Sequence, residues 1–237
     1  MARRVDGMVC ISAAIRAEHL RPMQRRGIPI VWLERMMPGG TIDSVFVNNF
    51  QGAYDATRHL IELGHRRIGC IMGMADSQLS NERLIGYQAA LSDADLPFDP
   101  TLLQRGDYTP PSGIAAVNAL LELPNPPTAI FAFNDLMAMG ALQALHRKGL
   151  RVPDDVAVIG FDGVPLTQYI TPALSTIEQP IPTISKQVVS LLLDRINGGA
   201  PREARTIIAE PTLVVRASTQ GYDTEPHRCD ALESHLT

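Results

Sequence analysis

Residues 129–166 read AIFAFNDLMAMGALQALHRKGLRVPDDVAVIGFDGVPL. The run 129–133 is apolar and carries two aromatics, as a buried strand does. Asn134 and Asp135 interrupt it, and Asn134 is placed to cap a helix. Leu136, Met139, Gly140, Ala144 and Leu145 recur at helical spacing, and Gly149 stands where a helix C-terminus favours glycine. Val152-Pro153-Asp154-Asp155 reads as a turn. Residues 156–161 form a second apolar strand that stops at Asp162-Gly163. A strand–helix–strand unit of this length implies parallel strands and a right-handed crossover. Asn134 and Asp162 then leave the carboxyl ends of neighbouring strands, the edge at which open α/β sheets bind ligands.

The flanking chain repeats this alternation. Residues 5–12 read as a strand, 18–26 as a short helix ending at Gly27, and 28–33 and 45–47 as apolar runs. Asn48-Asn49 opens a helix with Ala53, Ala56, Thr57, Leu60 and Ile61 on one face, closed by Gly64. A strand at 68–72, a helix at 82–91, a short strand at 102–104 and a helix at 112–123 follow. Beyond the opening unit come a strand at 174–178, an amphipathic helix at 183–197, a strand-rich segment at 205–215 and a polar tail. At least four strand–helix alternations predict a parallel, doubly wound α/β sheet.

Composition narrows the class. The 237 residues allow one large domain or two small ones, and 45% hydrophobic with 19% charged residues is ordinary for a globular chain. A net charge of −4 without a basic stripe argues against this chain gripping nucleic acid. Cys10, Cys70 and Cys229 are scattered, with no CxxC, so buried thiols in a reducing cytoplasm are expected rather than a disulfide framework. Arg3-Arg4 before the apolar residues 7–15 imitates an export signal. Asp6 interrupts it, and Arg16 and Glu18 follow without a cleavage site, so a buried strand is the better reading. No apolar run approaches the ~18 residues of a membrane span. The chain has no dinucleotide G-x-G-x-x-G after a strand, no phosphate-binding G-x-x-x-x-G-K-[ST] loop and no G-x-S-x-G elbow. Its six histidines form neither H-E-x-x-H nor a cluster with cysteine. Neither catalytic residues, nor a metal, nor a cofactor are therefore expected.

The stretch 133–166 resembles the effector-binding core of the lactose-repressor (LacI/GalR) family of bacterial transcription regulators. Five further segments match that family in order: RRVDGMV (3–9), GIPIVWLER (27–35), HLIELGHRRIGCIMG (59–73), ERLIGYQAAL (82–91) and ALSTIEQP (173–180). The resemblance implies a two-lobed, periplasmic-binding-protein-like (type I) fold, each lobe a doubly wound parallel sheet. One lobe would comprise 1–48 and 179–200, the other 49–178 and 201–220, with 221–237 as a tail. In relatives, further strands and helices precede RRVDG, so the first lobe is expected to be incomplete. The resemblance also implies a cytoplasmic homodimer, no membrane contact, and DNA binding only through a headpiece for which there is no room before Arg3. A small-molecule effector, a sugar or sugar derivative ahead of a purine, would occupy the cleft. The competing reading, from another class, is a periplasmic-type sugar-binding protein for transport, which shares the fold but needs an export signal.

Five residues are singled out for that cleft. Asp162, at a strand's carboxyl end, can accept two bonds from neighbouring hydroxyls, although a turn aspartate before Gly163 would look the same. The resemblance places the family's ligand aspartate there, with Gly163 where relatives often carry a second acid. Arg83 matches the family's ER-x-x-G-(Y/F) motif, and its guanidinium can bond two vicinal ligand oxygens; a surface salt bridge is the commoner fate of a helical arginine. Asn134 is a helix cap, a ligand contact, or both. Tyr108 stands where the family presents an aromatic face to a sugar ring, against ordinary packing. Gln179 resembles a cleft glutamine at a lobe crossing. Asn48 stands at another crossing, where relatives often carry aspartate.

Overall fold

The computed structural model describes residues 5–11, 17–34, 42–75, 77–201 and 203–220. In chain order the elements are β1 (Met8–Ile11), α1 (Ala17–Arg25), β2 (Ile30–Leu33), β3 (Asp43–Val47), α2 (Asn49–Glu62), β4 (Ile68–Met72), α3 (Gln78–Asp93), β5 (Leu103–Arg105) and α4 (Pro110–Leu121). They continue with β6 (Ala129–Ala132), α5 (Asp135–Arg147), β7 (Ala157–Asp162), β8 (Ser175–Glu178), α6 (Ile181–Ile196), β9 (Thr206–Ala209), β10 (Thr212–Val214) and α7 (Ala217–Gln220).

The strands form two sheets. The first is parallel throughout, in the order β1-β2-β3-β9. Alternate residues of its strands serve opposite faces. Val31, Val45, Val47 and Ala209 pack under Ile184, Val188 and Leu191 of α6. Cys10, Ile30, Trp32 and Ile42 pack with Leu20 of α1. β1 is an edge strand among the described residues, with Val9 and Ile11 exposed.

The second sheet runs β10-β8-β7-β6-β4-β5 and is parallel except for β10, which lies antiparallel to β8. Its central strands are covered on both faces, so β4, β6 and β7 read as continuous apolar runs rather than alternating ones. Phe131, Phe133 and Phe161 are wholly buried here, each stabilising by about 2–3 kcal/mol. The chain moves outward from β4 to β5, then returns across β4 to β6. The strand order therefore reverses between β4 and β6, and ligands of doubly wound sheets bind at such a switch point.

Three stretches connect the sheets: 47–49, 178–181 and 209–212. The third corrects the expectation that 201–220 belongs wholly with the second lobe. Thr206–Ala209 pairs with β3 in the first sheet, and only from Thr212 does the chain join the second. The single strand-rich segment expected at 205–215 is two strands, parted at Glu210-Pro211 because proline cannot donate to a ladder. The second sheet is likewise not purely parallel, as its last strand returns antiparallel. The expected tail at 221–237 lies outside the described residues.

Candidate functional site

The site is built from strand ends. β6 ends at Ala132, and Asn134 two residues later caps α5, its side-chain oxygen accepting from the Met137 amide at 2.9 Å. Its amide nitrogen donates to the Tyr108 carbonyl at 3.0 Å. Both polar ends of Asn134 are thus engaged within the protein, and the side chain holds the β5–α4 turn against the β6–α5 turn. Tyr108 sits in that turn with φ of 68°, and its hydroxyl donates to Ser77 Oγ at 3.0 Å. The ring lies across Gly73, where any Cβ would collide with it.

Arg83, in the second turn of α3, is 4% exposed. Its Nε donates to Asn49 Oδ1 at 2.9 Å, another guanidinium N–H donates to the Phe133 carbonyl, and the plane stacks 3.6 Å over the Phe161 ring. α3 follows β4 and Phe133 follows β6, so Arg83 bridges the switch point. Its remaining edge faces Asp162, with Nη2 3.6 Å from Oδ1. A buried guanidinium held on three sides is fixed before any ligand arrives.

Asp162 closes β7 with φ of 122°. Its Oδ1 accepts from Gln179 Nε2 at 2.7 Å, and its carbonyl accepts from the Gln179 amide at 3.1 Å. Gln179 lies on the second inter-sheet connection, so the aspartate is tied to a crossing. Burial raises the Asp162 carboxyl above the ordinary carboxylate range, while Arg83 and Gln179 oppose the rise. The structure therefore brings Arg83, Asp162 and Gln179 together. It links Asn134 to Tyr108 beside them, through a backbone carbonyl.

Three residues escaped the sequence reading. Glu34, at the end of β2, has φ of 74°. Burial raises its carboxyl, the Arg83 charge lowers it and the Asp162 charge raises it, so the first lobe places an acid in the field of both second-lobe residues. Asp135 is wholly buried beneath the site and accepts from Thr176 Oγ1 at 2.6 Å and the Val164 amide at 2.7 Å. Burial is the main cause that pushes its carboxyl up to about 6. Glu210, on the third connection, accepts from Asn48 Nδ2 on the first through both its oxygens, each at 3.1 Å. Asn48 also caps α2. No group of three or more histidine, cysteine or acidic side chains that could hold a metal occurs among the described residues. No described helix is long and apolar enough to cross a membrane.

Two α/β sheets joined by three connections, with polar strand ends gathered where they meet, define a two-lobed small-molecule-binding module. The periplasmic binding protein-like domain family matches residues 57–219. The HTH-type transcriptional repressor CytR of Escherichia coli K12 is 37% identical over 220 residues, covering 93% of this chain and 64% of that repressor. The chain thus spans less than two thirds of the length of such relatives. The solved complex of the transcriptional regulator CelR with cellobiose is 38% identical with a TM-score of 0.84, covering 92% of this chain and 67% of that one. A LacI family regulator from Enterococcus faecium, solved with bound ribose, is 29% identical with a TM-score of 0.85, covering 92% and 81%. The chain belongs to the lactose-repressor (LacI/GalR) family of transcription regulators, and it is an effector-binding core of that family.

Proposed function

We propose that this chain senses a small polar effector in the cleft between its lobes and passes the occupancy on to DNA affinity in the full-length regulator. The carrying observation is the donor–acceptor couple of Arg83 and Asp162, 3.6 Å apart and held by separate protein partners. Vicinal hydroxyls of a sugar satisfy such a couple, one accepting from the guanidinium and the next donating to the carboxylate. The ring of Tyr108 and the amide of Gln179 would complete the pocket, with Asn134 positioning Tyr108. A sugar or sugar derivative fits best, and a purine presents a similar donor–acceptor edge. The cellobiose and ribose bound by two structural neighbours support the first choice. The same reading assigns no catalysis to the chain and places it in the cytoplasm as a homodimer, with DNA contacts made by another part of the regulator.

A thermal-shift screen of sugars and nucleobases, followed by calorimetry, tests the reading, because a ligand that binds only the native state raises its melting temperature. Asp162→Ala should weaken the effector so found by about tenfold or more, the loss of one charge-assisted bond of ~1.5–3 kcal/mol. Unchanged affinity in a folded variant refutes the assignment.

A further inference from the structure

The wholly buried Asp135 is the first residue of α5, yet Asn134 already caps that helix, so the Asp135 carboxylate is not spent on a cap. Its oxygens are taken from elsewhere. Oδ1 accepts from Thr176 Oγ1 at 2.6 Å and Oδ2 from the Val164 amide at 2.7 Å. The Thr176 oxygen in turn accepts from the Gly163 amide at 3.3 Å. Thr176 lies on β8 opposite Gly160 of β7, and a Cβ at Gly160 would strike Oδ1, so the carboxylate reaches β8 over a residue without a side chain. The two amides held in this way belong to the turn that leaves Asp162. Asp162 and Gly163 are successive residues with positive φ, 122° and 76°. An aspartate seldom adopts such a conformation, and it persists where neighbours enforce it. Glu178 crowds the same turn, since a Cβ at Gly163 would lie 2.5 Å from its Cγ.

We propose that Asp135 is a positioning residue for effector binding: it pins the turn that presents the Asp162 carboxylate, directly through the Val164 amide and through Thr176 to the Gly163 amide. This rests on the reading that Asp162 binds the effector. Being wholly buried, Asp135 does not touch the effector itself. Gln179 and Arg83 act on the Asp162 side chain at its Oδ1, whereas Asp135 fixes the backbone that follows. A carboxylate suits the task, because hydrogen bonds to an anion are shorter and stronger than neutral ones. The first turn of a helix also favours negative charge. Hence one buried acid orders a second, and it does so from a neighbouring helix, without occupying the cleft.

Three variants separate the bonds. Asp135→Ala removes both acceptors, Thr176→Val removes the hydroxyl between Asp135 and Gly163, and Asp135→Asn keeps an oxygen for Val164 and an amide that can donate to Thr176. Amide hydrogen exchange followed by NMR needs no ligand. Relative to the strand amides of Ile130 and Val158 in the same variant, the Val164 amide should exchange about tenfold or more faster in Asp135→Ala, and the Gly163 amide likewise in Thr176→Val. Unchanged protection at these amides overturns the proposal. So does a loss shared equally with the two strands, which would mark general destabilisation. NMR titrations with cellobiose and with ribose, which reach millimolar affinities, supply the second measurement. A sugar that binds the wild type should bind Asp135→Ala about tenfold more weakly and Asp135→Asn less than about threefold more weakly. In an Asp162→Asn background, Asp135→Ala should cost no more than about twofold, because the residue it acts through is already lost. Losses that multiply in the double variant overturn the proposal. If neither sugar binds the wild type, the effector class of the preceding section is refuted, and the exchange measurement still decides whether Asp135 holds the turn.

Discussion

Replacing Asp43 by asparagine should unfasten the base of the first lobe. The Asp43 side chain is fully buried at the start of β3 and accepts five hydrogen bonds, at 2.7 and 3.0 Å from Arg195 and at 2.8, 2.8 and 3.3 Å from Arg205. Burial alone would raise its carboxyl, but the bonds from Arg195 and Arg205 outweigh this and hold it down to about 2, from an ordinary 3.8. At 1.36 kcal/mol per pH unit, that difference is worth about 2 kcal/mol at neutral pH. Asparagine would also leave the two arginines without their shared anion. They are 22% and 28% exposed, so water recovers part of that cost, and the total should be about 3 kcal/mol. For a chain of this size the melting temperature should fall by about 6–12 °C. The sign with pH follows from the lowered value: the contribution is complete above 3.8 and is lost as pH falls toward 2. Trp32, the single tryptophan, is buried in the first lobe and reports its unfolding in urea by fluorescence. A stability difference between wild type and Asp43→Asn below about 1 kcal/mol at pH 7 would refute the reasoning. So would a difference that does not shrink between pH 5 and pH 3.

Two further substitutions probe the second lobe. Asn134→Ala removes the α5 cap and the donor to the Tyr108 carbonyl, so urea denaturation should show a loss of about 1–2 kcal/mol; a loss under 0.5 kcal/mol would mean that water replaces both bonds. Arg83→Lys cannot reproduce the bonds to Asn49 and Phe133 or the stack on Phe161, and should cost about 2–4 kcal/mol and abolish effector binding; near-normal binding calorimetry would show that the guanidinium geometry is not used.

Which features could be read in the sequence depends on how far apart their partners lie. The strand–helix–strand unit from Ala129 was legible because apolar period, cap residue and closing glycine all fall within a few residues of one another. The candidates Arg83, Asp162 and Gln179 came from motif resemblance, and the fold brings them together. Asp43 was invisible as a structural anchor because its partners lie 152 and 162 residues downstream, and an acid before an apolar run reads as a strand boundary. Glu34 lies inside the matching segment GIPIVWLER, but nothing in that segment singled it out; its distinguishing mark is a positive φ, which a glutamate does not advertise. The split between β9 and β10 had a local signal in Pro211. That proline marks a break in a ladder but does not say which sheet either half joins.

Asp135 shows what the binding edge costs the fold, and the cost has a measurable sign. Unlike Asp43, it has no cation bonded to it; Thr176 and the Val164 amide supply its bonds, and the charge of Asp162 acts against it. Its residue in β7 directly beneath is Gly160, where a Cβ would strike the carboxylate, so the neighbouring strand is kept bare to admit it. Burial raises its carboxyl to about 6, from an ordinary 3.8. A raised acid binds its proton more tightly in the folded state, so folding gains stability as pH falls through the folded value and loses it as pH rises. Between pH 7 and pH 5 that gain should be about 1 kcal/mol, approaching about 2 by pH 4. The buried His59 pulls the other way, because burial lowers its ring below 6.5 and acid therefore favours its unfolded form. The raw pH profile mixes these with other shifted groups, among them Asp162 and His65, whereas the difference between wild type and Asp135→Asn isolates the aspartate. The wild type should gain on the variant as pH falls from 7 to 5, measured by urea unfolding with circular dichroism at each pH. A flat difference would mean that Asp135 is ionised as easily folded as unfolded. A difference of opposite slope would mean that its hydrogen bonds outweigh its burial.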